Sequence, residues 1–439
     1  MNGISPIRSA LPRDPATPNG MLVLFSAGDF AFNLYWQAIS LYLLFFYMDA
    51  LALPPATAGL LFMIGAIWDG AADFLAGATA ERMRLSYRRL VGCGALPLGL
   101  AFVAMFAVPA GAAHWALATQ LLFRTLYAFA NIPYAAWTTR VARTSRERSL
   151  VAGWRMGFGS AAAALVALAL PWLVERTGSY GAAAALLAAV GVPLVAIVAW
   201  RVPEPIPPAL HVDRPAIRAG LATLAGNRAF VALNVAAALG GAATALTAQS
   251  VLYFFRYVLL DTAGGPRALA GMALASLTAV PIWTALARVH GARIAWIAAG
   301  VLALVLPVGF ALVVAPGSMA TAAFLLAMQA SFIGFALAAW TLLPDAVDWD
   351  EARTGKRVEA LAFGTFALVQ KIALAGAGFA IGVVYQANGF IAGVAQGADS
   401  LRAIRWLMLA GPAVLIAAML VAVIAIPLRR NTLSLLRRA

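Results

Sequence analysis

The chain has 439 residues, 63% of them hydrophobic and only 11% charged, and a mean hydropathy of +0.87, where a soluble domain carries about 25% charged residues; a water-soluble globule is excluded. The net charge of +14 is broken up by long apolar runs instead of gathered on one soluble face, which argues against a nucleic-acid partner. One cysteine, Cys93, and three scattered histidines, His114, His211 and His290, offer neither an intramolecular disulfide nor metal-ligand spacing.

Residues 1–20, with Pro6, Pro12, Pro15 and Pro18 and charges of both signs, lack the apolar core of a secretory signal and read as a cytoplasmic tail. Apolar stretches then fall at about 21–49, 55–79, 89–110, 114–141, 149–174 and 180–201, and again at 229–260, 267–289, 293–314, 318–345, 358–387 and 401–428. The expectation is an all-α membrane protein with twelve transmembrane helices in two six-helix bundles, 21–201 and 229–428. Between them lies a cytoplasmic linker, 202–228, holding Pro203, Pro205, Pro207, Pro208 and Pro215, and residues 429–439 form a second tail. Of the 31 Lys and Arg residues, 23 fall in the tails and loops on the side of the termini and four in loops on the other, which sets both termini inside. Two bundles joined by such a linker are the layout of carriers that rock around a midplane site.

Ionisable side chains in hydrocarbon cost at least about 2.5 kcal/mol each, so every one needs a partner, a water-filled cavity or a function. Span 1 carries Asp29, Asn33, Tyr35, Trp36 and Gln37, with Asp29 and Asn33 on one face. Span 2 carries Asp69 and Asp73 in IWDGAADF, four apart and so on one face, where two carboxylates repel unless a cation or proton joins them. They read as a cation-coupling site or as two separate ion pairs to other helices. Span 4 aligns Arg124, Tyr127 and Asn131, followed by Pro133, Tyr134 and Trp137. Aromatic rings beside hydrogen-bonding groups suit a sugar, although they are also ordinary packing residues. Arg155 in span 5 offers a guanidinium fork to a ligand or snorkels to the bundle end. The stretch LPDAVDWDEARTGKRVEA, with Asp345, Asp348, Arg353 and Arg357, is too charged for lipid and reads as a loop that gates the cytoplasmic side or as a solvated topology determinant. Lys371 in FALVQKIAL, one of two lysines, requires an acidic partner inside the bundle.

The stretches GDFAFNLYWQAISLYLLFFYMDAL (28–51), IWDGAADF (67–74), NIPY to RERSLVAGWR (131–155) and PDAVDWDEARTGKRVEA to QK (344–371) resemble the glycoside–pentoside–hexuronide:cation symporters of the major facilitator superfamily. The resemblance implies the major facilitator fold, a cation site at Asp69 and Asp73, the interior lysine at Lys371 and a substrate-site arginine at Arg155. It sets Asn33 at the family's sugar-binding aspartate of span 1, Asn131 at a third cation-site carboxylate and Ala135 at a sugar-stacking tryptophan, while Arg124 adds a positive charge where a galactoside carrier of the family has a small residue. Galactoside specificity therefore does not transfer.

The expected protein is a cation-coupled symporter, of proton or sodium, for a sugar, glycoside or related polar solute, working by alternating access. The coupling residues are Asp69, Asp73, Asn131 and Lys371, and the substrate residues Asp29, Asn33, Tyr35, Trp36, Arg124, Tyr127, Tyr134 and Arg155. The alternatives are a carrier of lysolipids or other amphipathic solutes from the same superfamily, a scaffold that moves nothing, and a membrane-embedded transferase, the last lacking a visible nucleophile–base pair. Neither an enzyme, a cofactor nor a resident metal beyond a transported sodium is expected. The partners are the solute and the bilayer, the chain is monomeric, and an Arg-to-Lys ratio of 29 to 2 points to a bacterial inner membrane.

Overall fold

A computed structural model describes residues 17–82, 86–142, 144–204, 217–312, 317–354 and 359–428. Both expected tails, apart from residues 17–20, and residues 205–216 of the expected linker lie outside them. The described residues are helical, with no strand among them. In chain order the helices are α1 (Asn19–Ala38), α2 (Pro55–Arg82), α3 (Tyr87–Phe106), α4 (Ala113–Val141), α5 (Ser145–Thr177), α6 (Tyr180–Arg201), α7 (Ile217–Gly226), α8 (Arg228–Tyr253), α9 (Gly264–His290), α10 (Ala292–Ala311), α11 (Ser318–Thr354), α12 (Glu359–Ala387), α13 (Ala398–Met408) and α14 (Ala410–Ala425).

Helix ends follow local chemistry. Ser86, Thr144, Ser179 and Asn227 cap α3, α5, α6 and α8 by accepting a backbone N–H of the first turn, and Thr144 with Glu147 completes a capping box. The α5 helix stops at Gly178, whose φ of 68° is the left-handed conformation that ends a helix cheaply. Among the described residues, ten spans are long and apolar enough to cross a membrane, α13 and α14 counting as one, and apolar side chains such as Leu100, Ile282 and Val421 are turned outward. This is a multi-pass membrane protein. Helices α1 and α4 are the long helices outside those ten spans, and they carry Asp29, Asn33 and Gln37, and Gln120, Arg124 and Asn131.

Helices α1–α6 pack on one another, as do α8–α14, and the two groups meet along α2 with α12 and α5 with α9. Small residues permit the close approach of α2 and α12: a Cβ at Gly59 would sit 3.0 Å from the Gly378 carbonyl oxygen and 3.2 Å from Gly382 Cα. At the end of the molecule away from the start of α1, α1 continues through π turns at Ile39–Leu43 and Phe46–Ala50, and α8 through one at Phe254–Val258. Each final turn leads to a non-glycine residue at positive φ, Ala52 (51°) and Leu260 (55°). The same irregular corner thus recurs at the same place in both groups, as a duplicated unit would have it.

Two segments hold helix beyond the twelve expected stretches. The expected linker contains helix α7, joined to the α8 cap at Asn227. The acidic stretch after span 10 is not a loop at its start: α11 runs through Pro344 to Thr354, carrying Asp345 and Asp348 on helix. Leu342, Leu343, Ala346 and Val347 are buried there, an apolar stripe that keeps the helix packed through this segment. The Arg353 side chain and Arg357 lie outside the described residues.

Candidate functional site

A cavity of about 1220 Å³ lies between the two groups of helices, lined from α1, α5, α8, α9, α10, α11 and α12. It reaches Ala152 and Met156 in the first half of α5, towards the end of the molecule where α1 and α5 begin. On the opposite side it is capped by bonds between the groups. Asp49 pairs with Arg256 (3.2 Å) and accepts the Tyr257 hydroxyl, the Tyr253 hydroxyl points at Met48 Sδ (3.1 Å), and the Ala56 N–H donates to Gln386 Oε1 (2.9 Å).

Asp29 and Arg155 form the charged wall of the cavity. Arg155 donates from Nε (3.0 Å) and Nη2 (2.8 Å) to the same Asp29 oxygen, and from Nη1 to Thr138 Oγ1 (3.0 Å), with its guanidinium 5.2 Å above the Tyr134 ring. The Asn33 amide donates to the Asp29 carbonyl (2.9 Å) and carboxylate (3.2 Å), and Gln37 continues the ladder one turn on. The acidic group of α1 that faces the cavity is therefore Asp29, one turn before the Asn33 position assigned to it by resemblance. Trp36 lines the cavity and stacks on Tyr127 behind it, with ring centroids 5.7 Å apart.

Four of the expected substrate residues sit behind that wall. Tyr35 is wholly buried and turned away, against Phe102 (4.8 Å) and into the notch left by Gly191 and Gly99; its place is packing within the first group of helices, a correction to the sequence expectation. Tyr134 spends its hydroxyl on the Phe25 carbonyl (2.6 Å) and supports Arg155 from below. Tyr127 and Arg124 are also buried and lie off the cavity lining.

Behind Trp36 lies a second, ionic cluster. Lys371 of α12 reaches across to α2, with Nζ 2.5 Å from Asp69 Oδ2 and paired also with Asp73. Arg124 of α4 approaches the other Asp69 oxygen at 3.7 Å and lies 6.0 Å from the Trp36 ring centroid. Asp69 and Arg124 are each 1% exposed. The Gln120 amide, oriented to satisfy both its ends, accepts from Arg124 Nε (3.3 Å) and donates to the Leu61 carbonyl and the Tyr47 hydroxyl. Asn131, two turns along α4 and half-buried, forms no hydrogen bond to this cluster among the described residues. Two carboxylates and two cations make the cluster formally neutral, as the burial of Asp69 and Arg124 demands.

The opposite wall of the cavity escaped the sequence reading. It is built from uncharged polar and aromatic groups: Gln370, beside Lys371; Gln329, which donates to Ser276 Oγ (3.1 Å); Trp340; and Gln249. Gln249 is 4% exposed and neither end of its amide has a partner among the described residues, so it is a donor and an acceptor without an occupant. Polar residues recurring every turn or two along otherwise apolar α8 and α11 were the available signal.

A family described as MFS/sugar transport protein matches residues 24–430. The chain belongs to that family. Its relatives include the "Putative glycoside/cation symporter YagG" of Escherichia coli strain K12, 26% identical over 90% of this chain and 89% of the relative, and the "Putative sulfoquinovose importer" of Salmonella typhimurium strain LT2, 26% identical over 88% and 85%. The "Putative 2,3-dihydroxypropane-1-sulfonate exporter" of Escherichia coli K12 is 27% identical over 93% of each chain. Among solved structures, a mutant of the nucleoside transporter NupG superposes with a TM-score of 0.70 at 13% identity, covering 92% of this chain and 99% of that one. A bacterial homologue of the human drug peptide transporters PepT1 and PepT2 also gives 0.70, at 14% identity over 96% and 99%. The family member described here is thus a secondary active solute transporter of the major facilitator type, and the glycoside–cation symporter resemblance read from its motifs holds.

Proposed function

We propose that this transporter imports a sugar, glycoside or related polar solute together with a proton or a sodium ion, by rocking two six-helix bundles about the cavity. The observation that carries the reading is the adjacency of two sites. A polar cavity with the Asp29–Arg155 pair on one wall shares Trp36 with a carboxylate–cation cluster that itself bridges the bundles through Lys371. Twelve spans follow if α1 and α4 also cross, their lower hydropathy being the cost of the site residues they carry. With both termini in the cytoplasm of a bacterium, the capped side faces outward and the conformation is open to the cytoplasm. A cation joining Asp69 and Asp73 competes with Lys371 for them, loosens the α2–α12 bridge and so links occupancy to reorientation. No cofactor enters this cycle, and one chain contains both sites.

The cavity exceeds the usual ~300–1,000 Å³ of a ligand pocket, which leaves room for solute and water. The names of YagG and of the sulfoquinovose importer favour glycosides and sugar derivatives. The test is uptake of a panel of sugars, glycosides, uronic acids, sulfonated sugars and lysolipids into proteoliposomes under an imposed proton or sodium gradient, beside Asp73→Asn. Gradient-driven accumulation of a sugar or glycoside that is lost in the variant is the expected result. Movement of lysolipid alone would replace the reading with that of an amphipathic-solute carrier.

A further inference from the structure

We infer that Arg124 stands in the electrostatic place of a bound sodium ion, so that this carrier binds no sodium at its Asp69–Asp73 pair. The inference rests on reading that pair as the coupling site and narrows which cation it serves. Two carboxylates on one face of α2 need two positive charges in a medium of low dielectric. Lys371 serves both, being 2.5 Å from Asp69 Oδ2 and paired with Asp73, but supplies only one charge. The deficit of one is what a monovalent cation would fill. Here Arg124 fills it, 3.7 Å from Asp69 Oδ1.

Unlike an ion, this charge is permanent and tethered. A guanidinium does not deprotonate in a protein, and this one is walled in. Its Nε is held by Gln120 (3.3 Å) and its plane neighbours Trp36. Gly65 of α2 is what admits it: a Cβ there would run into the Gln120 amide and stand 3.0 Å from Arg124 Nε. The other ionisable groups about the cluster do not alter the count. Asp29 and Arg155 neutralise each other, and Tyr47 meets the cluster through the Gln120 amide. A sodium ion entering would therefore meet both Asp69 oxygens already faced by cations and would leave the cluster, in which Asp69 and Arg124 are buried, with an excess positive charge.

The test needs no solute, so its outcome is separate from that of the uptake experiment. The purified full-length chain is unfolded thermally in sodium chloride and in choline chloride at equal ionic strength, and saturable binding of radioactive sodium is measured by scintillation proximity. The wild type is expected to show the same Tm in both salts and no saturable sodium. Arg124→Gly and the milder Arg124→Gln are expected to gain saturable sodium binding and a sodium-specific Tm rise of about 3 °C, both abolished by adding Asp73→Asn. Saturable sodium binding by the wild type would overturn the inference, and so would a folded Arg124 variant that binds none. Should both variants fail to fold, the wild-type measurement alone still decides.

Discussion

Arg155 and Asp29 illustrate how much a single pair settles at the residue scale. Both side chains are partly open to the cavity, and the guanidinium directs two donors at one oxygen of Asp29, leaving the other oxygen to Asn33. A solute hydroxyl or anionic group entering here exchanges water for charge-assisted hydrogen bonds, the stronger kind. Planarity matters more than charge in that geometry, because an ammonium offers no fork and no face to lay over Tyr134. Arg155→Lys is therefore expected to raise the solute KM at least about tenfold, equivalent to ~1.4 kcal/mol, and Asp29→Asn to do likewise by releasing the fork from its orientation. Both are expected to leave Tm close to wild type, because neither group belongs to the buried Asp69–Arg124 cluster. Uptake kinetics in proteoliposomes check this, and an unchanged KM in Arg155→Lys would remove the guanidinium from the solute site.

Among the elements, the start of α3 shows how the helices are anchored at the end where α1 begins. Glu204, just beyond α6, accepts the Tyr87 N–H (3.0 Å), the Arg88 N–H (2.9 Å) and the Ser86 hydroxyl (2.6 Å), and pairs with Arg140. An anion thus sits on the free N–H groups and positive dipole end of α3, while Arg88 returns donors to the Ala199 and Trp200 carbonyls of α6. Partial burial alone would raise the Glu204 carboxyl, but these donors and Arg140 more than offset it and hold it below its ordinary value of 4.5. A group depressed in the folded state contributes its stability in full above the ordinary value and loses it as pH falls through the folded one. Glu204→Gln is accordingly expected to cost about 1 kcal/mol at pH 7, the size of a lost helix cap, and to lower Tm by roughly 1–2 °C. It should also flatten the decline of Tm in acid below 4.5 relative to wild type. A thermal-melt series across pH measures both, and parallel curves would mean that Glu204 is not the titrating anchor.

For the whole molecule, what the sequence made legible was charge, and what it hid was direction. Asp69, Asp73 and Lys371 could be paired on paper because an uncompensated charge in hydrocarbon must find its opposite. Tyr35 was misread because Trp36, one residue and about 100° further round α1, is the one that faces the cavity. Gln249, Gln329 and Gln370 went unnoticed because an uncharged amide within an apolar run demands no partner strongly enough to announce a site. The cap over the cavity was equally hidden: π turns shift the register at the ends of α1 and α8, which brings Asp49 against Arg256 and Tyr257 from corresponding corners of the two groups. Tyr257 also takes the Gly393 N–H (2.9 Å), tying the loop before α13 into the same knot. If the carrier alternates, this knot must part in every cycle, and its strength sets the balance between the two open states. Asp49→Ala removes the ion pair and the Tyr257 bond together while leaving Arg256, already 37% exposed at its side chain, free to reach water. A bias change of ~1.4 kcal/mol shifts the two populations tenfold. In a Cys93→Ser background with Ala248→Cys as a reporter in the cavity wall, Asp49→Ala should speed labelling by a membrane-impermeant thiol reagent from the capped side about tenfold. Equal labelling rates with and without Asp49 would mean that the closure resides elsewhere, along the glycine seam of α2 and α12.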